Sequence, residues 1–76
     1  MDWADRIEAD PTILAGKPII KGTRLAVEFV LDLLSRGWTQ AQIIENYEGV
    51  TQEDILACLH YAAEVLKSEK VFPLPA

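Results

Sequence analysis

Two nearly identical helix starts stand twelve residues apart: "WTQAQI" at 38–43 and "VTQEDI" at 50–55, matching at Thr, Gln and Ile. Each places a threonine where a helix N-cap belongs. Gln42 follows Thr39 by three residues and Asp54 follows Thr51 by three, the spacing of a capping box, with the shorter Asp making the weaker one. Trp38 and Val50 precede the caps and are placed to staple onto Ile43 and Ile55. Two starts this close confine the first helix to about residues 40–47, with Ile43, Ile44 and Tyr47 inward. Gly49 makes the turn. The second helix then runs from about 52 to 68, with Ile55, Leu59, Ala62 and Leu66 as its core stripe. Two helices joined by a short glycine turn form a helix-turn-helix.

A third helix precedes them, about residues 26–36. Val27, Val30, Leu31 and Leu34 fall on one helical stripe, widened by Phe29 and Leu33, while Glu28, Asp32 and Arg36 line the other side. Gly37 is placed as the glycine just past its end. Before Leu25 the pattern is extended. Ile7 and Ala9 alternate with charged neighbours, and "PIIK" at 18–21 puts two β-branched residues after a strand-initial proline. The expected fold is mainly α: a three-helix helix-turn-helix core preceded by a short β-strand or hairpin. One domain is expected, with a β arm at 1–25, the helices at 26–68 and a tail at 69–76.

Seventy-six residues bury only part of their surface, yet half of them are hydrophobic. That surplus points to a homodimer or another partner. Strands as short as the one around Ile19 and Ile20 need partners, so those two residues are the expected dimer contact. A net charge of −5 argues against general nucleic-acid or membrane-surface binding. A single cysteine, Cys58, excludes an internal disulfide. No apolar run is long enough to span a bilayer, and Met1–Asp10 lacks the apolar core of a secretory signal, so a cytoplasmic protein is expected.

Against that acidic background, "GKPIIKGTRL" at 16–25 holds Lys17, Lys21 and Arg24, and no acid occurs from Pro11 to Val27. It is not a phosphate loop: Gly16 and Gly22 lie six apart, and Lys21 precedes its glycine. Two readings of Arg24 remain. It could fork onto Glu28 or Asp32, or it could reach phosphates or bases together with Lys17 and Lys21. The second helix of the helix-turn-helix opens with Gln52, Glu53 and Asp54, whose carboxylates suit the helix dipole and repel phosphates. Any DNA contact is therefore expected from the basic segment. His60 and Glu64 are an i,i+4 pair with no second histidine, and Cys58 has no basic neighbour in sequence, so neither metal, cofactor nor enzymatic activity is expected.

The segment "DPTILAGKPIIKGTRLAVEFVLDLLSRGWTQAQIIENYEGVTQEDILACLHYAAE" resembles the bacterial domain-of-unknown-function 433 family. The shared pattern is D-P-x-I-x-x-G-K-P-x-I-x-G-T-R, a helix, then two capped helix starts. Ala15 stands where a second glycine is usual, Leu25 where Ile is, and Val50 where Leu is. The resemblance implies a homeodomain-like three-helix core, often dimeric. It also implies a VapB-type antitoxin paired with a PIN-like nuclease toxin, with its operator DNA as a further target. The alternative is a DNA-binding regulator without a toxin. In an antitoxin, the tail is the expected toxin contact: Lys67 and Lys70 facing the nuclease's acidic cluster, Phe72 and Leu74 as apolar anchors, and Pro73 and Pro75 keeping the chain extended.

Overall fold

The computed structural model describes residues 3–68; Lys70, Phe72 and Leu74 of the expected toxin contact lie outside them. A 3-10 turn at Trp3–Arg6 leads into β1 (Ile7–Ala9), and a second at Leu14–Gly16 into β2 (Pro18–Ile20). Three helices follow: α1 (Val27–Ser35), α2 (Gln40–Asn46) and α3 (Gln52–Ser68). The strands are antiparallel, with Ile7 opposite Ile20, Glu8 opposite Ile19 and Ala9 opposite Pro18. The class is the expected one, mainly helical with a short two-stranded hairpin in front.

Local chemistry explains the element ends. Thr39 and Gln42 form the full capping box: the Gln42 amide donates to Thr39 Oγ1 at 3.1 Å, and the Thr39 amide to Gln42 Oε1 at 2.8 Å. Thr51 and Asp54 do the same for α3, at 3.2 and 2.9 Å. Helix α1 ends as its glycine predicts. Gly37 has φ +93°, its amide donates to the Leu34 carbonyl, and the Trp38 amide donates to Leu33, the paired bonds of a Schellman motif. Between the strands, the Thr12 hydroxyl and amide both donate to Asp10 Oδ1, and these bonds hold the Asp10 carboxyl below the usual aspartate range. Leu14 and Ala15 then take left-handed backbone, φ +50° and +56°. Each such non-glycine residue costs about 1–2 kcal/mol, so glycine would suit position 15 better than alanine.

The core joins all the elements. Ile20, Val27, Val30, Leu33, Ile43, Val50, Ile55 and Cys58 form one buried cluster, with Ile7, Leu25, Leu31, Leu34, Trp38, Tyr47 and Tyr61 packed against it. The α3 stripe differs from expectation. Ile55 is buried, but its buried neighbours are Asp54, Ala57 and Cys58, whereas Leu59 is 41% exposed and Leu66 58%. Every buried α3 residue lies in the first half of the helix, and small Ala57 and Cys58 let that half approach the core closely. The second half is only half-buried at Tyr61, Ala62 and Val65, which face α1 across a groove. Ile44, expected inward, is likewise partly exposed.

One contact links the ends of the described chain. Arg6 Nη1 lies 3.0 Å from Asp54 Oδ1, and the Asp54 side chain is only 8% exposed. Asp54 thus caps α3 with one oxygen and holds the N-terminal turn with the other. Alongside, the Trp3 ring stacks on His60 with centroids 6.2 Å apart and meets Tyr61 edge-on.

Candidate functional site

The basic segment is built around β2. Ile19 and Ile20 are both fully buried within their own chain. The strand's edges are occupied as well: β1 pairs on one side, while on the other Ile19 bridges to Ala26 and the Ile20 amide donates to the Leu25 carbonyl. These two side chains are therefore core, and they offer no face to a second copy. The reason is that residues 21–26 fold straight back along the strand instead of leaving it open.

Thr23 makes that return. Its amide and hydroxyl both donate to the Ile20 carbonyl, at 3.0 and 2.8 Å, and its hydroxyl accepts from the Leu25 amide at 3.1 Å. Gly22 sits at φ +84°, a conformation that suits glycine. The Lys21 amide donates to the Arg6 carbonyl. With the backbone so fixed, Lys21 and Arg24 project from a rigid turn and are both exposed. Among the described residues neither side chain has an ion-pair or hydrogen-bond partner.

Lys17 is placed differently. Its ammonium is 2.6 Å from Glu28 Oε1, in an exposed pair. Four residues of extended chain, about 13 Å, separate it from Lys21. Arg24 does not fork onto Glu28 or Asp32, because Lys17 takes the first and Arg36 the second, at 2.8 Å. The structure thus brings Lys21 and Arg24 together on one turn and leaves Lys17 at the other end of the strand. Gly22, Thr23, Arg24 and Leu25 form one wall of a groove of about 430 Å³, facing Asn46, Tyr47, Glu48 and Gly49 from the helix-turn-helix turn.

The α3 N-terminus presents only Gln52 and Glu53 outward, since Asp54 is turned in. Lys67, from the expected toxin contact, is exposed and pairs with Glu64 at 3.2 Å. Cys58 is fully buried, and burial first, then the nearby Asp54 charge, pushes its thiol up to about 12. A thiol so protonated is a poor nucleophile. Among the described residues no group of three or more His, Cys, Asp or Glu side chains is assembled to hold a metal ion. No described helix is long and apolar enough to cross a membrane.

A second groove, about 440 Å³ and almost wholly apolar, runs between α1 and α3, lined by Val27, Leu31, Tyr61, Val65 and Leu66 with Lys17 and Glu28 at its rim. Sequence reasoning missed both this groove and the exposed leucines of α3. The second had a visible signal, the spacing of Leu56, Leu59, Ala63 and Leu66.

Comparison with known proteins agrees with this architecture. A crystal structure of a DUF433 member protein from Anabaena variabilis ATCC 29413 superposes with a TM-score of 0.76 at 27% identity, over 82% of this chain. The chain spans 61% of the length of that protein's chain. No curated protein matches. The family described as protein of unknown function (DUF433) matches residues 7–62, from β1 to the middle of α3. The chain belongs to the DUF433 family.

Proposed function

We propose that this protein is a non-enzymatic antitoxin of the VapB type, which binds and masks a PIN-like nuclease toxin. The observation that carries the reading is the amount of apolar surface left outside the core of so small a domain. Phe29, Ile44, Leu56, Leu59 and Leu66 are each more than a third exposed. Such surface, beside a tail whose sequence alternates bulky apolar residues with prolines, suits a protein partner. The resemblance to the DUF433 family carried by the G-K-P and G-T-R motifs, with the antitoxin role it implies, supplies the class of that partner. Lys70, Phe72 and Leu74 are the proposed toxin contacts, with Lys67 at their base. A basic group there would compete with the nuclease's metal ion for the same carboxylates.

The test is co-expression with the neighbouring nuclease gene. A chain truncated after Ser68 should keep its helical circular dichroism and lose protection against the toxin. Continued protection and co-purification would move the contact onto the globular domain.

A second activity, binding of operator DNA, is favoured by Lys21 and Arg24, which share one hydrogen-bonded turn and have no partner among the described residues. Charge reversal of both should abolish the shift of a promoter fragment. Neutralising either one alone should reduce the salt slope of log K by about 0.9 for each phosphate it had engaged. If Gln52→Ala with Glu53→Ala abolishes the shift while Lys21→Glu does not, α3 is the reading element.

A further inference from the structure

Helix α3 carries an apolar stripe that the described chain leaves largely open, although Leu66 at its end also lines the α1/α3 groove. Leu56 is 44% exposed, Leu59 41% and Leu66 58%, and Ala63 is exposed between them. Their spacing is three, four and three residues, the a/d alternation that keeps a seam facing a neighbouring helix. The stripe lies outside the buried set of Asp54, Ile55, Ala57 and Cys58, so it is not spare core. It is also distinct from Ile19 and Ile20, which are consumed inside the chain.

We infer that this stripe is a homodimer interface in which α3 packs antiparallel against α3 of a second copy. The residues themselves favour that occupant and that direction. In an antiparallel pair Leu56 meets Leu66 of the partner subunit, and Leu59 meets Ala63 of the partner subunit. Two large-against-small layers at the centre let the helices approach closely. A parallel pair would set Ala63 against its own copy and leave a gap there. Charge agrees. Glu53 at the start of α3 and Lys67 at its end lie on the same edge of the seam, seven residues either side of His60. Antiparallel packing brings Glu53 to Lys67 of the partner subunit at both ends. Parallel packing would put the two Glu53 and the two Lys67 side chains on opposite flanks of the pair, where neither meets its opposite charge. The helix dipoles also oppose each other favourably in the antiparallel arrangement. Lys67 exchanges its exposed contact with Glu64 for the new one at little cost, because such surface pairs contribute little. Lys70 then remains for a nuclease partner.

The inference takes Leu56, Leu59 and Leu66 out of the apolar surface offered to the toxin and leaves Phe29 and Ile44 there, so it refines the antitoxin reading by placing its dimer surface, and it is tested without any toxin. Sedimentation equilibrium of the full chain at micromolar concentration should give twice the chain's 8.5 kDa. Leu59→Lys, at an exposed position, should weaken the dimer by about tenfold or more with unchanged helical circular dichroism. Glu53→Lys and Lys67→Glu should each weaken it several-fold, and the two together in one chain should restore it. The double reversal reads out orientation and does not depend on the tolerance of position 59. A monomer at these concentrations overturns the inference. So does a dimer indifferent to Leu59→Lys, as expected if the apolar α1/α3 groove or the tail made the contact. Two weakened single variants whose combination stays weak would overturn the antiparallel arrangement.

Discussion

Asp54→Ala should destabilise the fold by about 2–4 kcal/mol, read as a lower urea midpoint with an unchanged slope. Two effects combine. The Thr51 amide loses its acceptor, which ends the capping box of α3 and is worth about 1 kcal/mol. The Arg6 guanidinium loses a carboxylate 3.0 Å away in a part-buried setting. Breaking a fully buried pair from one side costs about 3–5 kcal/mol, and the 25% exposure of Arg6 lowers that figure here. At about 0.05–0.15 kcal/mol per residue, a chain of this length has about a fifth or more of its stability at stake. Asp54→Asn keeps an acceptor for Thr51 and removes only the charge, so it should cost about half as much. A double-mutant cycle with Arg6→Ala should then return a coupling well above the few tenths of a kcal/mol seen for distant sites.

Ile20→Lys should abolish cooperative unfolding altogether. On sequence alone, this change reads as a way to separate a dimer through its β strand. In the structure Ile20 is fully buried at the centre of the cluster, against β1 on one side and the Thr23 turn on the other. A lysine there loses the packing of an isoleucine, about 2–5 kcal/mol by analogy with truncation, and must also bury or expel an ammonium. Those costs together reach the whole stability of a domain this size. Ile20→Val, which keeps the branched shape, should cost only about 0.5–1.5 kcal/mol. Circular dichroism across a urea series distinguishes the two. A stably folded Ile20→Lys chain would mean that the hairpin opens without unfolding the helices.

The elements legible from sequence are those fixed by hydrogen bonds a few residues long. Thr39 with Gln42, Thr51 with Asp54, and Gly37 after Ser35 each declare a helix end locally, and each stands where the sequence puts it. The α3 stripe is harder because the helix has two apolar faces. Ile55 and Cys58 satisfy helical spacing as well as Leu56 and Leu59 do, and only the other elements decide which face turns in. At the candidate site, the rigidity of the Lys21–Arg24 turn is not visible in the sequence, since it depends on Thr23 folding back to Ile20. The pairing of Arg36 with Asp32 is legible as an i,i+4 pair, but the choice of Glu28 by Lys17 is not, and the two together leave Arg24 without an acid among the described residues. The pairing of Arg6 with Asp54 spans 48 residues and leaves no local trace.

That span has a consequence for synthesis. A ribosome adding about 5–20 residues per second needs some seconds to travel from Arg6 to Asp54. From Ile20 onward both strands have been made but their anchor has not, and Trp3 waits longer still for His60. Until α3 is made, the N-terminal turn and the face of α1 that packs on α3 stay uncovered, while β2 already has β1 and α1 to pack on. A chain that stops before Asp54 lacks this anchor as well as Ile55 and Cys58 of the core, so it would leave the hairpin unclosed and open to proteases.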